Sequence, residues 1–192
     1  MKKKIALFAS GSGTNAENMI RYFDRRTDVV FPVIVTNKAS AYVHERAKQL
    51  GVPSYTFDKE EFENGTVLEL LQRESIDFII LAGFLLKIPE NLLQVYPNRI
   101  INIHPALLPK FGGKGMYGMR VHEAVVEAGE KESGITIHYV NENYDEGKII
   151  FQATCTVLSS DSAKEVAEKV HELEYDFFPK VVEKIIMNDD CH

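Results

Sequence analysis

The sequence predicts an α/β protein: an open, mostly parallel sheet with helices on both faces and an antiparallel C-terminal edge. Three observations support this. Short apolar runs alternate with stretches of helical spacing through the first half of the chain. One run, "FIILA" at 78–82, is apolar at every position, as in a strand covered on both faces. Two later extended runs, 133–140 and 148–157, are separated only by "NENYDEG", too short for a helical crossover and suited to antiparallel neighbours.

The elements follow in order. Ile5–Ala9 reads as a buried strand, and Ala16–Phe23 has the spacing of an amphipathic helix. Val29–Val35 is the next strand, then a helix over Ala41–Leu50 and a short strand at Pro53–Phe57. Phe62–Arg73 reads as one helix, and Phe78–Ala82 and Ile100–Ile103 as strands. Repeated strand–helix units require right-handed parallel crossovers, which distribute helices over both faces. In "SGITIHYV" (133–140), Ile135, Ile137 and Tyr139 fall on one face and Thr136 and His138 on the other. Asp161 is the expected N-cap of a long amphipathic helix from Lys164 to about Met187. No repeat or linker interrupts the 192 residues, so one domain is expected.

Composition excludes several classes. With 45% apolar and 26% charged residues the chain can bury a real core. A formal charge of −6 argues against a nucleic-acid or membrane-surface partner. It does not oppose an anionic small molecule, which needs only backbone N–H groups and a helix end. Cys155 and Cys191 form no C-x-x-C pattern, which fits a reducing compartment and gives no zinc signal. The apolar run after "MKKK" is too short for a signal peptide, and no stretch approaches the ~18 apolar residues of a membrane helix. A cytoplasmic protein is expected.

Two segments carry chemistry. Gly11-Ser12-Gly13-Thr14-Asn15-Ala16 follows the first strand and opens a helix, matching the letters G-x-G-x-x-G/A. A dinucleotide site also needs an acidic residue at the end of the second strand, and that strand ends in Thr36, Asn37 and Lys38. The loop therefore reads as a phosphate cradle rather than an NAD site.

The second segment is "IINIHPALLPKFGG" (100–113), in which Pro105 stops the strand. Asn102 and His104 share one face at a carboxyl end, where α/β sheets keep their sites. An imidazole exchanges protons near neutral pH, and a carboxamide donates to an oxyanion without titrating. Asp145 is the candidate orienting carboxylate, expected to raise the pKa of His104. His104, His122, His138 and Asp145 match no compact metal motif, since Val126 stands where a second helical histidine is needed, so no metal is expected.

Together these pieces resemble the phosphoribosylglycinamide formyltransferase family. The resemblance rests on "SGSGTNAEN" (10–18), "TNKASAY" (36–42), "LAGFLLKIP" (81–89), "NIHPALLPKFGGKGMYG" (102–118), "SGITIHYVNENYDEGKIIFQ" (133–152) and "VHELEYDFFP" (170–179). It implies the Rossmann-like formyltransferase fold, with a phosphate-binding half over 1–100 and a catalytic and folate-binding half over 101–192. It also implies formyl transfer from 10-formyltetrahydrofolate to glycinamide ribonucleotide in purine biosynthesis, with formyl-folate as cosubstrate and neither metal nor NAD. Two other formyl-folate families share the fold. Methionyl-tRNA formyltransferases add an RNA-binding domain, and formyltetrahydrofolate hydrolases add a regulatory one; neither addition is expected here.

By the same resemblance, Asn102, His104 and Asp145 form the catalytic trio, with a protonated His104 and Asn102 facing the oxyanion. Gly13, Thr14 and Asn15 would hold the 5′-phosphate, and His171 and Glu174 the ribose hydroxyls. Leu85, Leu86, Lys87 and Ile88, with Asn102 and the loop Asn141, Glu142, Asn143 and Tyr144, would line the folate pocket. Partners are expected to be small molecules only, with the chain a monomer or weak homodimer. The chain departs from the family pattern at Leu86 and Glu60, each beside a lysine, and in a longer Gly112–Gly118 loop.

Overall fold

The computed structural model describes residues 2–188, so Cys191 lies outside the described residues. The strands are β1 (Lys3–Phe8), β2 (Val29–Thr36), β3 (Ser54–Thr56), β4 (Phe78–Leu81), β5 (Ile100–His104), β6 (Glu132–Tyr139) and β7 (Ile149–Thr156). The helices are α1 (Thr14–Phe23), α2 (Val43–Leu50), α3 (Lys59–Glu63), α4 (Thr66–Arg73), α5 (Glu90–Val95), α6 (Met119–Glu127) and α7 (Ala163–Asn188). Among the described residues the strands form one seven-stranded sheet in the order β3-β2-β1-β4-β5-β6-β7. The first five are parallel; β6 runs antiparallel to β5, and β7 to β6. This is the open, mostly parallel sheet with an antiparallel edge that the sequence predicts.

Alternation along each strand divides the core in two. Ile5 and Leu7 of β1 pack with Met19, Phe23 and Phe178, from α1 and α7. Ala6 and Phe8 face the other way, onto Phe62, Leu71 and Leu92 of α3, α4 and α5. Full burial of a Leu- or Phe-sized side chain favours folding by about 1.5–3 kcal/mol, and the buried positions of the central strands β1 and β4 are all apolar. In β6, Ile135 and Ile137 join the first cluster, while Thr136 and His138 are buried on the opposite face against the active-site loops.

The elements differ from expectation in three respects. The stretch read as one helix over 62–73 is two, because Gly65 at φ +99° breaks it and caps α4. Asp58 and Glu61 form a capping box that starts α3 earlier. The long C-terminal helix is capped by Ser162, whose Oγ accepts from Glu165 N while Glu165 Oε2 accepts from Ser162 N. Asp161 instead receives the Leu158 N–H and pairs with Lys169 at 2.5 Å. Helices α5 and α6 were not expected at all; both are short and follow proline- or glycine-rich segments.

α7 runs through Pro179. Proline has no N–H to give to the carbonyl four residues back, that of Tyr175. Asn18 Nδ2 on α1 donates to that carbonyl at 3.1 Å, so the lost helical bond is replaced from the neighbouring helix.

Candidate active site

The strand order reverses between β1 and β4, the switch point where open α/β sheets place their ligands. The turn after β1 lies beside the turn after β4, joined by Ser10 N–H to the Gly83 carbonyl at 2.9 Å. Ser10 Oγ donates to Asn37 Oδ1 at 2.5 Å and accepts the Leu85 N–H at 2.9 Å. One buried hydroxyl thus ties together the ends of β1, β2 and β4. A cleft of about 890 Å³ opens over these ends and that of β5. Its floor and walls include Gly13, Thr14, Asn15, Leu85, Asn102, His104, Tyr144, Asp145, His171 and Glu174.

At one end of the cleft sits the trio read from the sequence. The β5–β6 register places Asn102 opposite His138 and His104 opposite Thr136. His104 is 4% exposed, with Nδ1 at 3.5 Å from Asp145 Oδ2 and Nε2 at 2.7 Å from the Phe111 carbonyl. Asp145 Oδ2 also accepts the Gly113 N–H at 2.9 Å. Asp145 Oδ1 lies 3.5 Å from Asn102 Nδ2 and 3.6 Å from His138 Nε2. The partners that His104 faces from both sides, Phe111 and Asp145, have left-handed backbones at φ +55° and +57°. For a non-glycine residue this conformation carries a local cost, and such residues cluster at functional sites. Thr136 holds the intervening turn: its Oγ1 donates to the Ala106 carbonyl at 2.7 Å and accepts from Leu108 N at 3.0 Å.

The electrostatics correct one expectation. Burial lowers the His104 pKa below its ordinary 6.5; Asp145 and the Phe111 carbonyl oppose this without overcoming it. The imidazole is therefore neutral near pH 7, rather than held protonated by Asp145. For Asp145 the balance is opposite. Burial raises its pKa, but the neighbouring imidazoles of His138 and His104 and the Gly113 N–H outweigh it, so the carboxylate is held below its usual range.

At the other end, Asn15 Nδ2 donates to Glu174 Oε2 at 3.0 Å, and His171 Nδ1 lies 2.7 Å from the same oxygen. Glu174 is only 6% exposed on a helix that sequence alone would leave solvated. Its hydrogen bond raises the His171 pKa above 6.5 despite burial. Among the described residues, Asn15 Oδ1 is buried without a protein partner, and so is His122 Nδ1 on α6; both residues line the cleft.

Other expectations map less directly. Leu86, Lys87, Ile88, Asn141, Glu142 and Asn143 stand outside the cleft lining. Ile88 and Leu86 turn into the apolar cluster below, and Lys87 is exposed. Of the segment 85–88, Leu85 alone reaches the cleft, with Asn102 and Tyr144 completing the expected folate wall. Conversely, His122 lines the cleft and His138 Nε2 lies 3.1 Å from Asn102 Nδ2, although the sequence weighed both only as metal ligands and set that aside. Among the described residues no cluster of three or more His, Cys, Asp or Glu could hold a metal, and no helix is long and apolar enough to cross a membrane.

Comparison with known proteins identifies the family. The formyl transferase family model matches residues 3–182. A phosphoribosylglycinamide formyltransferase of Bacillus subtilis is 36% identical, over 96% of this chain and 95% of that protein. A chloroplastic one from Arabidopsis thaliana is 41% identical over 94% of this chain. The chain spans 64% of the Arabidopsis protein's length and 61% of that of a similar protein from Vigna unguiculata. Among solved structures, phosphoribosylglycinamide formyltransferase from Anaplasma phagocytophilum superposes with a TM-score of 0.88 at 31% identity, covering 98% of this chain and 89% of that one. The Streptococcus pneumoniae enzyme gives 0.84 at 38% identity, covering 97% and 99%. The chain belongs to the formyl transferase family, among the phosphoribosylglycinamide formyltransferases.

Proposed function

We propose that this chain transfers the formyl group of 10-formyltetrahydrofolate to the amine of 5-phosphoribosylglycinamide. The products are N-formylglycinamide ribonucleotide and tetrahydrofolate, a step of de novo purine biosynthesis. The observation that carries this reading is the pairing, within one cleft, of a glycine-loop anion cradle with Asn102, His104 and Asp145. Similarity to phosphoribosylglycinamide formyltransferases supports it. In this reading the 5′-phosphate sits on Gly13, Thr14 and Asn15, and the ribose hydroxyls on Glu174 and His171. Formyl-folate lies along Leu85, Asn102 and Tyr144. The cradle belongs to the half 1–100 and the chemistry to 101–192, within one domain. We also infer a cytoplasmic protein, monomeric or weakly dimeric, with small-molecule partners only.

The geometry suggests how the residues divide the reaction. The substrate amine attacks the formyl carbon, and the carbonyl oxygen gains negative charge. Asn102 Nδ2, a donor that does not titrate and that lies 3.1 Å from His138 Nε2, gives its hydrogen bond to that oxygen. His104 gives its Nε2–H to the Phe111 carbonyl, which leaves Nδ1 as the basic nitrogen of a neutral ring. Nδ1 takes the proton that the amine loses, and Asp145 stabilises the imidazolium so formed. The oxyanion then collapses to re-form the carbonyl, the bond between the formyl carbon and the folate nitrogen breaks, and that nitrogen takes the proton back from His104 as tetrahydrofolate leaves. The pKa of His104 suits a base better than a resting cation.

A coupled assay with formyl-folate, with and without the ribonucleotide, tests the reading. Tetrahydrofolate release that requires the ribonucleotide is expected. Equal release without it would make the chain a hydrolase.

A further inference from the structure

The glycine loop is held from behind by α2, a helix outside the cleft. Val43 N–H donates to the Gly11 carbonyl at 3.1 Å, and Arg46 Nε donates to the Ser12 carbonyl at 2.7 Å. Arg46 is itself fixed on two further sides. Its Nη1 pairs with Glu17 of α1, and its guanidinium lies 5.3 Å from the centroid of the Tyr42 ring. Gly13, at φ +74°, is pressed against α2: a Cβ there would come within 2.4 Å of Val43 Cγ2.

These ties have a directional consequence. In a planar trans peptide the C=O and N–H point opposite ways. The Gly11 carbonyl shares its peptide unit with Ser12 N–H, and the Ser12 carbonyl shares its unit with Gly13 N–H. With both carbonyls drawn back onto α2, both N–H groups turn away from it, toward the cleft that Ser12 and Gly13 line. Among the described residues, neither N–H meets a protein acceptor. In the same turn Asn15 Oδ1 is buried, lines the cleft and has no partner, a sign of a ligand donor such as a hydroxyl beside the phosphate.

We propose that Arg46 is a positioning residue for phosphate recognition: by holding the Ser12 carbonyl it aims Gly13 N–H at the substrate's 5′-phosphate. Val43 N–H does the same for Ser12 N–H through the Gly11 carbonyl. The inference rests on the phosphate-cradle reading above and adds a residue that never touches the ligand. Arg rather than Lys suits the role, because its rigid fork serves the carbonyl through Nε and the carboxylate through Nη1 at once.

The test uses Arg46→Ala, Arg46→Lys and Glu17→Gln, the last of which removes the ion pair but leaves the carbonyl tie. Arg46→Ala is expected to raise KM for the ribonucleotide about tenfold, the size of one hydrogen bond to a charged group. Its kcat and its KM for formyl-folate stay at wild-type values. Arg46→Lys recovers part of the loss, and Glu17→Gln changes KM little. With glycinamide riboside, which lacks the phosphate, Arg46→Ala and wild type have equal kcat/KM. An equal loss on both substrates would make Arg46 merely structural and overturn the proposal. A second arm titrates inorganic phosphate while following the backbone amide signals of Ser12 and Gly13. Both are expected to shift in the wild type, with weaker binding in Arg46→Ala; equal affinity overturns the proposal. This arm holds even if the wild type fails to formylate the ribonucleotide, so failure of the enzymatic reading is separately visible.

Discussion

His104 and Asp145 face each other at 3.5 Å, Nδ1 to Oδ2, yet the imidazole pKa lies below its ordinary value. A carboxylate at that distance stabilises the imidazolium, but His104 is almost wholly removed from water, and desolvation penalises the charged ring more. The pair is therefore a neutral base beside a carboxylate ready to stabilise its charged form, which is the polarity that deprotonation of an amine requires.

The pH dependence of kcat/KM follows from this. His104 must be neutral to act, and its folded pKa is depressed, so activity falls only as pH drops below 6.5. Asp145→Asn removes an influence that raises the His104 pKa, so the acid limb moves lower still while turnover drops. The linkage has the same sign: a depressed histidine pKa gives stability that is present above 6.5 and lost as pH falls through the folded value. An acid limb above 6.5 in the wild type would contradict the assignment.

Asn102 is the candidate oxyanion donor, and its side chain is only partly buried, so truncation should spare the fold. Asn102→Ala is expected to lower kcat by ~10²–10³ while the thermal midpoint stays close to wild type. Steady-state kinetics beside a melting curve separates the two effects, and full turnover in the variant removes the role.

Glu174 and His171 give a prediction that NMR can read directly. The carboxylate's hydrogen bond is the largest cause raising the His171 pKa. Glu174→Gln should bring the His171 titration back toward 6.5 and raise KM for the ribonucleotide with little change in that for folate. A His171 pKa unmoved by the substitution would show that the 2.7 Å contact has no electrostatic consequence.

Much of this site was legible because it lies on regular elements. Strand alternation alone placed Asn102 and His104 on one face, and the glycine loop announced itself by following an apolar strand. The missing acidic residue at the end of β2 has a structural counterpart, since Asn37 there is engaged by Ser10. What stayed hidden depends on register and burial. Nothing local to β6 says that His138 pairs opposite Asn102, because antiparallel register is set by distant contacts. Glu174 reads as a solvated helix carboxylate until α7 is seen packed over the glycine loop. The proton balance of His104 was misjudged for the same reason: its carboxylate partner could be named from the sequence, but the depth of its burial could not.

Gly147 links the loop to the chemistry. A Cβ there would lie 1.6 Å from the Tyr139 carbonyl oxygen, so the β6–β7 turn that carries Asp145 must shift. Gly147→Ala is expected to destabilise by about 1–3 kcal/mol in denaturant titration, and to lower kcat through a displaced Asp145. A wild-type denaturation midpoint would mean the turn yields without cost.

In the proposed reaction one carbon passes from folate to the glycinamide nitrogen within this cleft. The direct measurement supplies formyl-folate labelled with carbon-13 at the formyl group and follows that carbon by NMR in the presence of the ribonucleotide. The label is expected to appear as a formamide on the ribonucleotide, with no free formate, and this signal is expected to be lost in His104→Asn. Label accumulating as formate, or staying on the folate while wild-type protein and both substrates are present, would contradict the proposed reaction.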